Sequence, residues 1–293
     1  MKFLLCFPLF SAALAVAAEP TGYLAAQNAV VDFQDHLGLQ LWSLRVQLAE
    51  NFDKALDQAK AYGIKEVEVA GTGKTPVAKI AADLEARGLV PIGEHIGYEQ
   101  LKRDLPGVIR DAHTLGVKYV VCPILPFKTS EFDVAAAKKV AAEFNTWGAA
   151  LEAAGIHFGY HTHGIEFRPT GGPDDENSFD VLVRETKPEL VTFEMDVLWV
   201  VHAGQNPIRL FRKYPNRWSL LHLKDLRLGA ESGLAAPHAG PADKVAVGLG
   251  QIDWPSVLAA AEAVGVKHFF IEDECAEPLK TIPLSLAYLR SLK

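Results

Sequence analysis

Eight short apolar runs, each followed by a longer stretch of helical character, constrain the fold of this chain more than any other feature. The stretches between the runs place apolar residues three and four positions apart, which is the spacing of amphipathic helices. The runs cover residues 37–44, 65–71, 89–96, 118–124, 156–163, 190–199, 218–226 and 268–274. Eight alternating strand and helix units in a chain of 293 residues predict a single-domain (β/α)8 TIM barrel of the α/β class.

A doubly wound open sheet is the alternative architecture for the same alternation. It is disfavoured because no run is followed by the Gly-X-Gly-X-X-Gly pattern that opens many such folds. Four helical stretches end in glycine two residues before a Lys or His at the start of the next strand. These glycines are Gly63, Gly116, Gly155 and Gly265. We expect them to adopt the left-handed conformation that ends a helix before a buried strand.

The first 18 residues have the pattern of a cleaved secretory signal. A single Lys2 precedes an apolar run, and small residues at Val16, Ala17 and Ala18 precede Glu19. The run is shorter than a membrane-spanning helix needs, so a permanent anchor is the weaker alternative. The predicted organisation is a signal peptide (1–18), an N-terminal extension (19–36) and the barrel (37–293). We therefore expect an exported protein, periplasmic or secreted, with no membrane span after signal cleavage.

Net charge and cysteine content limit the partners and the covalent links. The formal net charge is −7 and becomes more negative when Lys2 leaves with the signal, so nucleic acid is not an expected partner. Cys122 and Cys275 are the two cysteines after the signal, and an oxidising compartment would permit a bridge if their sulfurs met. Whether they pair stays open at this level, and so does the oligomeric state.

Titratable side chains crowd the carboxyl ends of the last four runs. They are His161 and His163, Glu194 and Asp196, His222 and Lys224, and Glu272 and Glu274, with Glu166 in the loop after the fifth run. Residues two apart on a strand share a face, and the inward faces of a barrel converge on one volume. Several carboxylates cannot share that volume without a cation. Carboxylates with imidazole suit one divalent ion, which could be Mn²⁺, Mg²⁺, Co²⁺, Fe²⁺ or Zn²⁺.

Each of these residues also has a structural interpretation when it is taken alone. Glu194 could cap a helix or pair with a lysine, and Glu68 could belong to a structural ion pair. Lys224 and Asp225 could form a surface salt bridge, although Asp225 points away from the face of Lys224 and is expected to be structural. The functional interpretation gains weight because four consecutive strands carry such residues at the same end.

The chain resembles the sugar phosphate isomerase/epimerase superfamily, the xylose isomerase-like TIM barrels, over nearly all of the sequence after the signal. The motifs that carry the resemblance are "GYHTHGIEF" (159–167), "EMDVLWVVHAG" (194–204), "LLHLKD" (220–225), "VGLGQIDW" (247–254) and "FFIEDE" (269–274). The resemblance implies one divalent metal ion. Its implied ligands are Glu166, Asp196, His222 and Glu272.

The same resemblance implies roles for further residues around the metal. The implied catalytic residues are Glu166, Glu272, Lys224 and His163, and the implied substrate-binding residues are His95, His161, Glu68 and Trp199. One departure is Leu249, which stands where relatives often carry an acidic residue between two glycines, and this weakens the transfer of substrate class.

The implied chemistry is a metal-stabilised enediolate formed next to a carbonyl. Returning the proton to one carbon or another gives an isomerase or epimerase, and loss of a β-substituent gives a lyase or dehydratase. Because phosphorylated sugars are mainly cytoplasmic, export favours an unphosphorylated keto-sugar or polyol, with a small carbohydrate as the partner. The alternatives are an exported sugar-binding barrel without turnover and an abasic-site endonuclease-like metal hydrolase.

Overall fold

The computed structural model describes residues 32–71, 73, 75–172, 175–236 and 238–292. The predicted signal peptide and residues 19–31 of the predicted extension lie outside the described residues. Among the residues that are described, no helix combines the length and the hydropathy needed to cross a membrane.

Eight parallel strands close into a barrel, which confirms the predicted (β/α)8 fold. Each of the eight apolar runs contributes one strand, and every neighbouring pair is parallel. The barrel strands are β1 (Leu37–Gln40), β2 (Glu66–Val69), β3 (Val90–His95), β4 (Tyr119–Cys122), β5 (His157–His161), β6 (Val191–Asp196), β7 (Trp218–Leu223) and β10 (His268–Ile271). Their order around the barrel is β1-β10-β7-β6-β5-β4-β3-β2, so the first and last strands are neighbours.

Helices surround the barrel and connect its strands. They are α1 (Arg45–Glu50), α2 (Phe52–Ala61), α3 (Val77–Arg87), α4 (Tyr98–Leu115), α5 (Val134–Glu152), α6 (Ser178–Glu185), α7 (Val197–His202), α8 (Pro207–Lys213), α9 (Trp254–Ala263) and α10 (Pro278–Ser291). The predicted stop glycines Gly63, Gly116, Gly155 and Gly265 all have φ between 71° and 80°, as expected. A side chain at these positions would be strained, so glycine lets the chain turn directly into the next strand.

The apolar core has an outer layer and a smaller inner layer. The outer layer fills the space between strands and helices, where Phe144 of α5 packs on Phe158 and Tyr160 of β5. The inner layer lies within the barrel and consists of Ile92, Tyr119, Val121, Leu220 and Phe270. Gly38 on β1 makes room for it, because a Cβ at that position would lie 2.6 Å from Phe270 Cδ1.

A short antiparallel hairpin follows β7, formed by β8 (Asp225–Leu226) and β9 (Lys244–Val245). Asp225 is fully buried and faces away from Lys224, as its position in the strand predicts. Asp225 Oδ2 accepts hydrogen bonds from the backbone N–H groups of Gly248 (2.9 Å) and Gly250 (3.2 Å) and from the Trp254 indole N–H (2.8 Å). This single carboxylate therefore shapes the "VGLGQIDW" segment that leads into α9.

The two cysteines that follow the predicted signal are both buried. Cys122 ends β4, and Cys275 follows β10. Both are free thiols in the structure, so the bridge that the sequence left open is not formed.

Replacing Asp225 by Asn tests the importance of this carboxylate for the fold. The amide would turn an N–H group toward donors, so buried N–H groups would lose their acceptor, and we expect the free energy of unfolding to fall by about 1–3 kcal/mol. Urea denaturation measures the change. Asp243→Asn is the matched control, because Asp243 pairs with Arg227 at the exposed edge of the same hairpin. Equal losses in the two variants would contradict the special role of Asp225.

Candidate functional site

The titratable residues predicted from the strand ends meet at the carboxyl end of the barrel. The strand register sets His161 of β5 beside Glu194 of β6, and Asp196 of β6 beside His222 of β7. Glu272 follows β10, which pairs with β7. Three neighbouring strands and the segment after a fourth thus aim imidazole and carboxylate groups into one volume, as the residue alternation predicts.

His161, Asp196, His222 and Glu272 form a group that fits a divalent metal ion. One ligating atom from each residue lies within 4.8 Å of the others. His161 Nε2 is 3.6 Å from Asp196 Oδ2, and His222 Nδ1 is 3.2 Å from Glu272 Oε2. Bonds of about 2.0–2.2 Å to a common ion leave two ligands up to roughly 4 Å apart, so these separations are compatible with shared coordination. All four residues are buried, which would protect a bound ion from competing water.

The second nitrogen of each histidine ring is held by a buried carboxylate. His161 Nδ1 is 2.9 Å from Glu194 Oε2, and His222 Nε2 is 2.7 Å from Glu68 Oε2. Histidines that bind metal through one nitrogen commonly donate the other N–H to a carboxylate, which fixes the ring orientation. Glu194 and Glu68 are therefore placed to orient the two histidines.

His95, the last residue of β3, lies between these two orienting carboxylates. Its Nε2 is 3.0 Å from Glu194 and 3.2 Å from Glu68. Burial lowers the pKa of His95, but the charge of Glu68 and the hydrogen bond of Glu194 outweigh it and raise the pKa to about 10. A second set of grouped ligands comprises His95, Glu194, His161 and His222. Because it shares both histidines with the first set, we interpret the two sets as one metal centre with its supporting carboxylates.

A chain of ion pairs extends from the metal group to the rim of the barrel. Lys224 Nζ lies 2.8 Å from Glu272, 3.4 Å from Asp196 and 2.5 Å from Glu274. Glu274 also pairs with Lys244 Nζ at 2.7 Å. Burial opposes the charge of Glu274, yet Lys224 outweighs it and lowers the pKa of Glu274 to about 2. Lys224 is thus linked to both carboxylate ligands and to Glu274.

His163 lies beside the metal group as a neutral imidazole. Burial, together with the charges of His161 and Lys224, lowers the pKa of His163 well below its ordinary value. Its ring stacks on Trp199 with centroids 4.9 Å apart, and its Nδ1 is buried with no hydrogen-bond partner among the described residues. An unprotonated nitrogen in this position can accept a hydrogen bond or a proton.

A cavity of about 780 Å³ opens above these residues. It is large enough for a small carbohydrate, since ligand pockets commonly measure roughly 300–1,000 Å³. Its polar wall includes His95, His161, His163, Trp199, Lys224 and Glu272. The segment 229–244, which follows β7, contributes His238 and Lys244 to this wall, whereas no described residue of the segment 168–178, which follows β5, lines it.

Two predicted site residues occupy other positions than the sequence indicated. Glu166 accepts hydrogen bonds from the His163 backbone N–H (2.9 Å) and the Tyr160 hydroxyl (3.3 Å), and it belongs to neither group of ligands. Tyr160 packs against Phe144 of α5 on the helix side of β5, and Glu166 lies next to its hydroxyl, whereas His161 belongs to both groups of possible ligands. Glu68 lies behind the histidines and does not line the cavity, so it contacts protein groups instead of substrate.

Several cavity residues were given no role from the sequence. Glu274 shares a face with Glu272, and the residue alternation could not tell which of the two belongs to the metal group. Trp42 donates its indole N–H to Glu274 at 3.1 Å, and Lys244 reaches the site from the β8–β9 hairpin. The place of Trp42 just after β1 could have indicated that it lies at the carboxyl end of the barrel. The position of Lys244 depends on a hairpin that no periodicity of the sequence predicts.

Metal content separates His161 from Glu166 as the ligand after β5. We expect His161→Ala and Asp196→Ala to lose the bound divalent ion, because each removes one of four ligands. Glu166→Gln should keep it, since Glu166 lies on the other side of the strand. Elemental analysis of the purified variants measures this, and circular dichroism checks folding. Metal loss in Glu166→Gln together with retention in His161→Ala would restore the ligand set implied by the resemblance.

Because of the buried carboxyl group of Glu94 on β3, we expect the free energy of unfolding to depend on pH. The two carboxylate oxygens of Glu94 are buried without hydrogen-bond partners among the described residues, and the residue lies at the cavity wall. Burial, and then the charge of Asp111, raises the pKa of Glu94 from 4.5 to about 8. The folded state favours the neutral acid, so this residue costs no stability below pH 4.5 and increasingly destabilises the fold as the pH rises to 8.

Glu94→Gln should therefore be more stable than the wild type at pH 8, by on the order of 2 kcal/mol, with little difference at pH 4.5. Urea unfolding at both pH values measures the gain, and Asp111→Asn serves as the control for the smaller influence of the neighbouring charge. A gain of equal size at both pH values would show that the effect does not come from ionisation of Glu94.

Comparison with known proteins places these observations in a family. The profile described as "Xylose isomerase-like TIM barrel" matches residues 56–292. An inosose dehydratase of Clostridium beijerinckii is 26% identical over 196 residues, which are 60% of this chain and 64% of the relative. The chain thus spans less than two thirds of the length of the curated relatives that it matches.

Solved structures agree with the profile. A sugar phosphate isomerase/epimerase from Parabacteroides distasonis superposes with a TM-score of 0.71 at 25% identity, covering 87% of this chain and 98% of that one. The IolI protein, whose crystal structure contains a zinc atom, superposes with a TM-score of 0.64 at 16% identity, covering 87% and 95%. With the closed barrel and the profile match over most of its length, the chain belongs to the xylose isomerase-like TIM-barrel family.

Proposed function

We propose that this protein is a divalent-metal-dependent enzyme that isomerises, epimerises or dehydrates an unphosphorylated keto-sugar or polyol. The observation that carries the proposal is the group of His161, Asp196, His222 and Glu272, of which His161 and Glu272 line a carbohydrate-sized cavity. A divalent ion held there would polarise a substrate carbonyl and its neighbouring hydroxyl and so acidify the adjacent C–H bond.

The residues around this group supply the remaining requirements of such a reaction. His163 Nδ1 is neutral and unpartnered, so it is suited to remove a proton from the carbon next to the carbonyl. Lys224 Nζ lies at the cavity wall and can donate a hydrogen bond to a substrate oxygen on which negative charge develops. Trp199 provides an apolar surface behind His163 and fixes the plane of its ring.

The substrate class is supported by the relatives and by the charges of the cavity. An inosose is a cyclic polyol with one ketone, and the curated relatives are named as dehydratases of that compound. The cavity lysines Lys224 and Lys244 are already paired with carboxylates, so a phosphate group would have to displace those partners. Arg103 also lines the cavity and offers a positive charge to a phosphate group. Phosphorylated sugars therefore belong in the substrate panel, because activity on them would contradict the proposed substrate class.

Export is a further part of this proposal and depends on residues 1–18 alone. Their charge, apolar run and small residues are the supporting pattern. Cell fractionation with N-terminal sequencing of the mature protein tests it, and a cytoplasmic protein that begins at Met1 would contradict it.

His163→Ala provides the sharpest test of the chemistry. We expect a loss of about 10²–10⁴-fold in turnover with unchanged metal content, because a proton acceptor is lost and the ligands are kept. The assay is exchange of substrate C–H for deuterium, followed by NMR, with Mn²⁺ and a panel of free keto-sugars and inososes. His113→Ala is the control, since His113 contacts the Ala154 carbonyl on an exposed helix surface.

Two results, the first from this assay and the second from a DNA-cleavage assay, would overturn the proposed reaction class. Sugar binding without C–H exchange or product in the wild type would indicate a binding protein without turnover. Cleavage of duplex DNA at abasic sites, with salt-sensitive binding, would indicate a metal hydrolase. Activity confined to phosphorylated sugars would overturn the substrate class and leave the reaction class in place.

A further inference from the structure

A second cluster of histidine and glutamate lies at the amino end of the barrel, opposite the cavity. Glu66 is the first residue of β2, His268 is the first residue of β10, and His36 immediately precedes β1. Since β1 lies between β10 and β2 in the barrel, the three residues start neighbouring strands. We refer to them as the amino-end triad.

The geometry of the amino-end triad brings three ligating atoms together. His36 Nδ1 is 2.9 Å from Glu66 Oε1, and His268 Nδ1 is 2.7 Å from Glu66 Oε2. The two imidazole rings meet edge to face with centroids 5.3 Å apart. All three ligating atoms lie within 4.8 Å of one another, and this group shares no residue with the groups at the cavity.

Burial of the triad is graded from the barrel interior to the surface. The side chain of His268 is 7% exposed and that of Glu66 is 14% exposed, while that of His36 is 39% exposed. The interior side holds Tyr119, whose ring lies 5.8 Å from that of His268. An ion could thus enter past His36, keep a water ligand on that side, and remain shielded on the other.

We propose that His36, Glu66 and His268 form a second divalent-metal site, of the zinc, cobalt or nickel type, at the amino end of the barrel. Two imidazole nitrogens and one carboxylate suit these ions, and water completes a tetrahedral set. In the structure, Glu66 is hydrogen-bonded to Nδ1 of both histidines. Loss of the Nδ1 protons to solvent and a small outward shift of the carboxylate would convert both contacts into bonds to a shared ion.

The consequence of metal binding would be structural. His36 closes a short helical turn, Phe33–His36, which packs on the barrel through the contact of Phe33 with Phe269. An ion held by His36 and by the first residues of β2 and β10 would fasten this turn across the two strands that flank β1. Because the ion binds the folded chain, it should raise the melting temperature, and the rise should grow with the logarithm of the free ion concentration once that exceeds the dissociation constant.

The site is far enough from the cavity to be tested separately. His268 and Glu272 are four residues apart along β10 and its continuation, which is about 13 Å at ~3.3 Å per residue. The Asp196→Ala/His222→Ala double variant removes two cavity ligands and leaves the amino-end triad intact. It therefore isolates the second site whether or not the proposed enzymatic function is correct.

The experiment counts metal equivalents in the purified protein after chelator treatment. Titration with Zn²⁺ by calorimetry, and with Co²⁺ by visible absorption, should give two equivalents for the wild type and one for the cavity double variant. Adding His36→Ala to the double variant should abolish that equivalent and its shift in melting temperature. His36→Ala alone, tested in case the double variant does not fold, should reduce the wild type from two equivalents to one.

Two further variants distinguish loss of the metal site from general effects of substitution. Glu66→Gln keeps the size of the side chain and should weaken binding by at least tenfold, because loss of a single ligand or its charge commonly has an effect of this order. His157→Ala is the control, since His157 begins β5 at the same end of the barrel and its carboxylate partner is the exposed Glu152, outside the triad. One equivalent in the wild type that vanishes in the cavity double variant would overturn the proposal, and so would a second equivalent that survives both His36→Ala and Glu66→Gln.

Discussion

Like charge buried at the carboxyl end of the barrel is the constraint on which the site depends. Glu68, Glu194, Asp196 and Glu272 are all buried there, and burying uncompensated carboxylates is very costly. The fold compensates with cations placed on other strands, chiefly His95 on β3 and Lys224 after β7. A divalent ion between His161, Asp196, His222 and Glu272 would add the remaining positive charge. The same balance of buried charges therefore determines both metal binding and the stability of this end of the barrel.

The apolar core and the buried polar residues contribute to this arrangement in different ways. Strand register decides which carboxylate faces which histidine, and the register is held by the outer core between strands and helices. Asp225, which faces away from the cavity, holds the segment after the hairpin by accepting several hydrogen bonds. That segment leads to α9 while the hairpin itself carries Lys244 to the cavity, so one strand end organises both a wall of the site and its support.

The barrel and most of the metal group follow from the sequence because both depend on local periodicity. Apolar runs identify the strands, and the two-residue alternation correctly groups Asp196 with Glu194 and His222 with Lys224. The alternation loses meaning where a strand ends. After His161 the chain turns at Gly164, whose φ is 100°, so Glu166 comes to lie on the side of Tyr160 and not on that of His161. The family resemblance implies that the acid after β5 is a metal ligand, and this assignment stays a prediction that the metal content of the Glu166 variant tests.

Long-range features of the site are harder to predict for the same reason. Trp42, Glu274 and Lys244 meet only because the barrel closes the first strand onto the last and because a hairpin folds over the rim. The amino-end triad also depends on closure, since His36 and His268 are separated by nearly the whole barrel in sequence. The topology of the barrel determines contacts of this kind, and no local pattern of residues predicts them.

Phe270 separates the two ends of the barrel. Its ring lies 6.3 Å from that of His222 on one side and 6.4 Å from that of His268 on the other, within the inner apolar layer that Gly38 accommodates. This layer places apolar side chains between the cavity group and the amino-end triad. We therefore expect the cavity group and the amino-end triad to exchange protons and ions with solvent at opposite ends of the barrel, the first through the cavity and the second past His36.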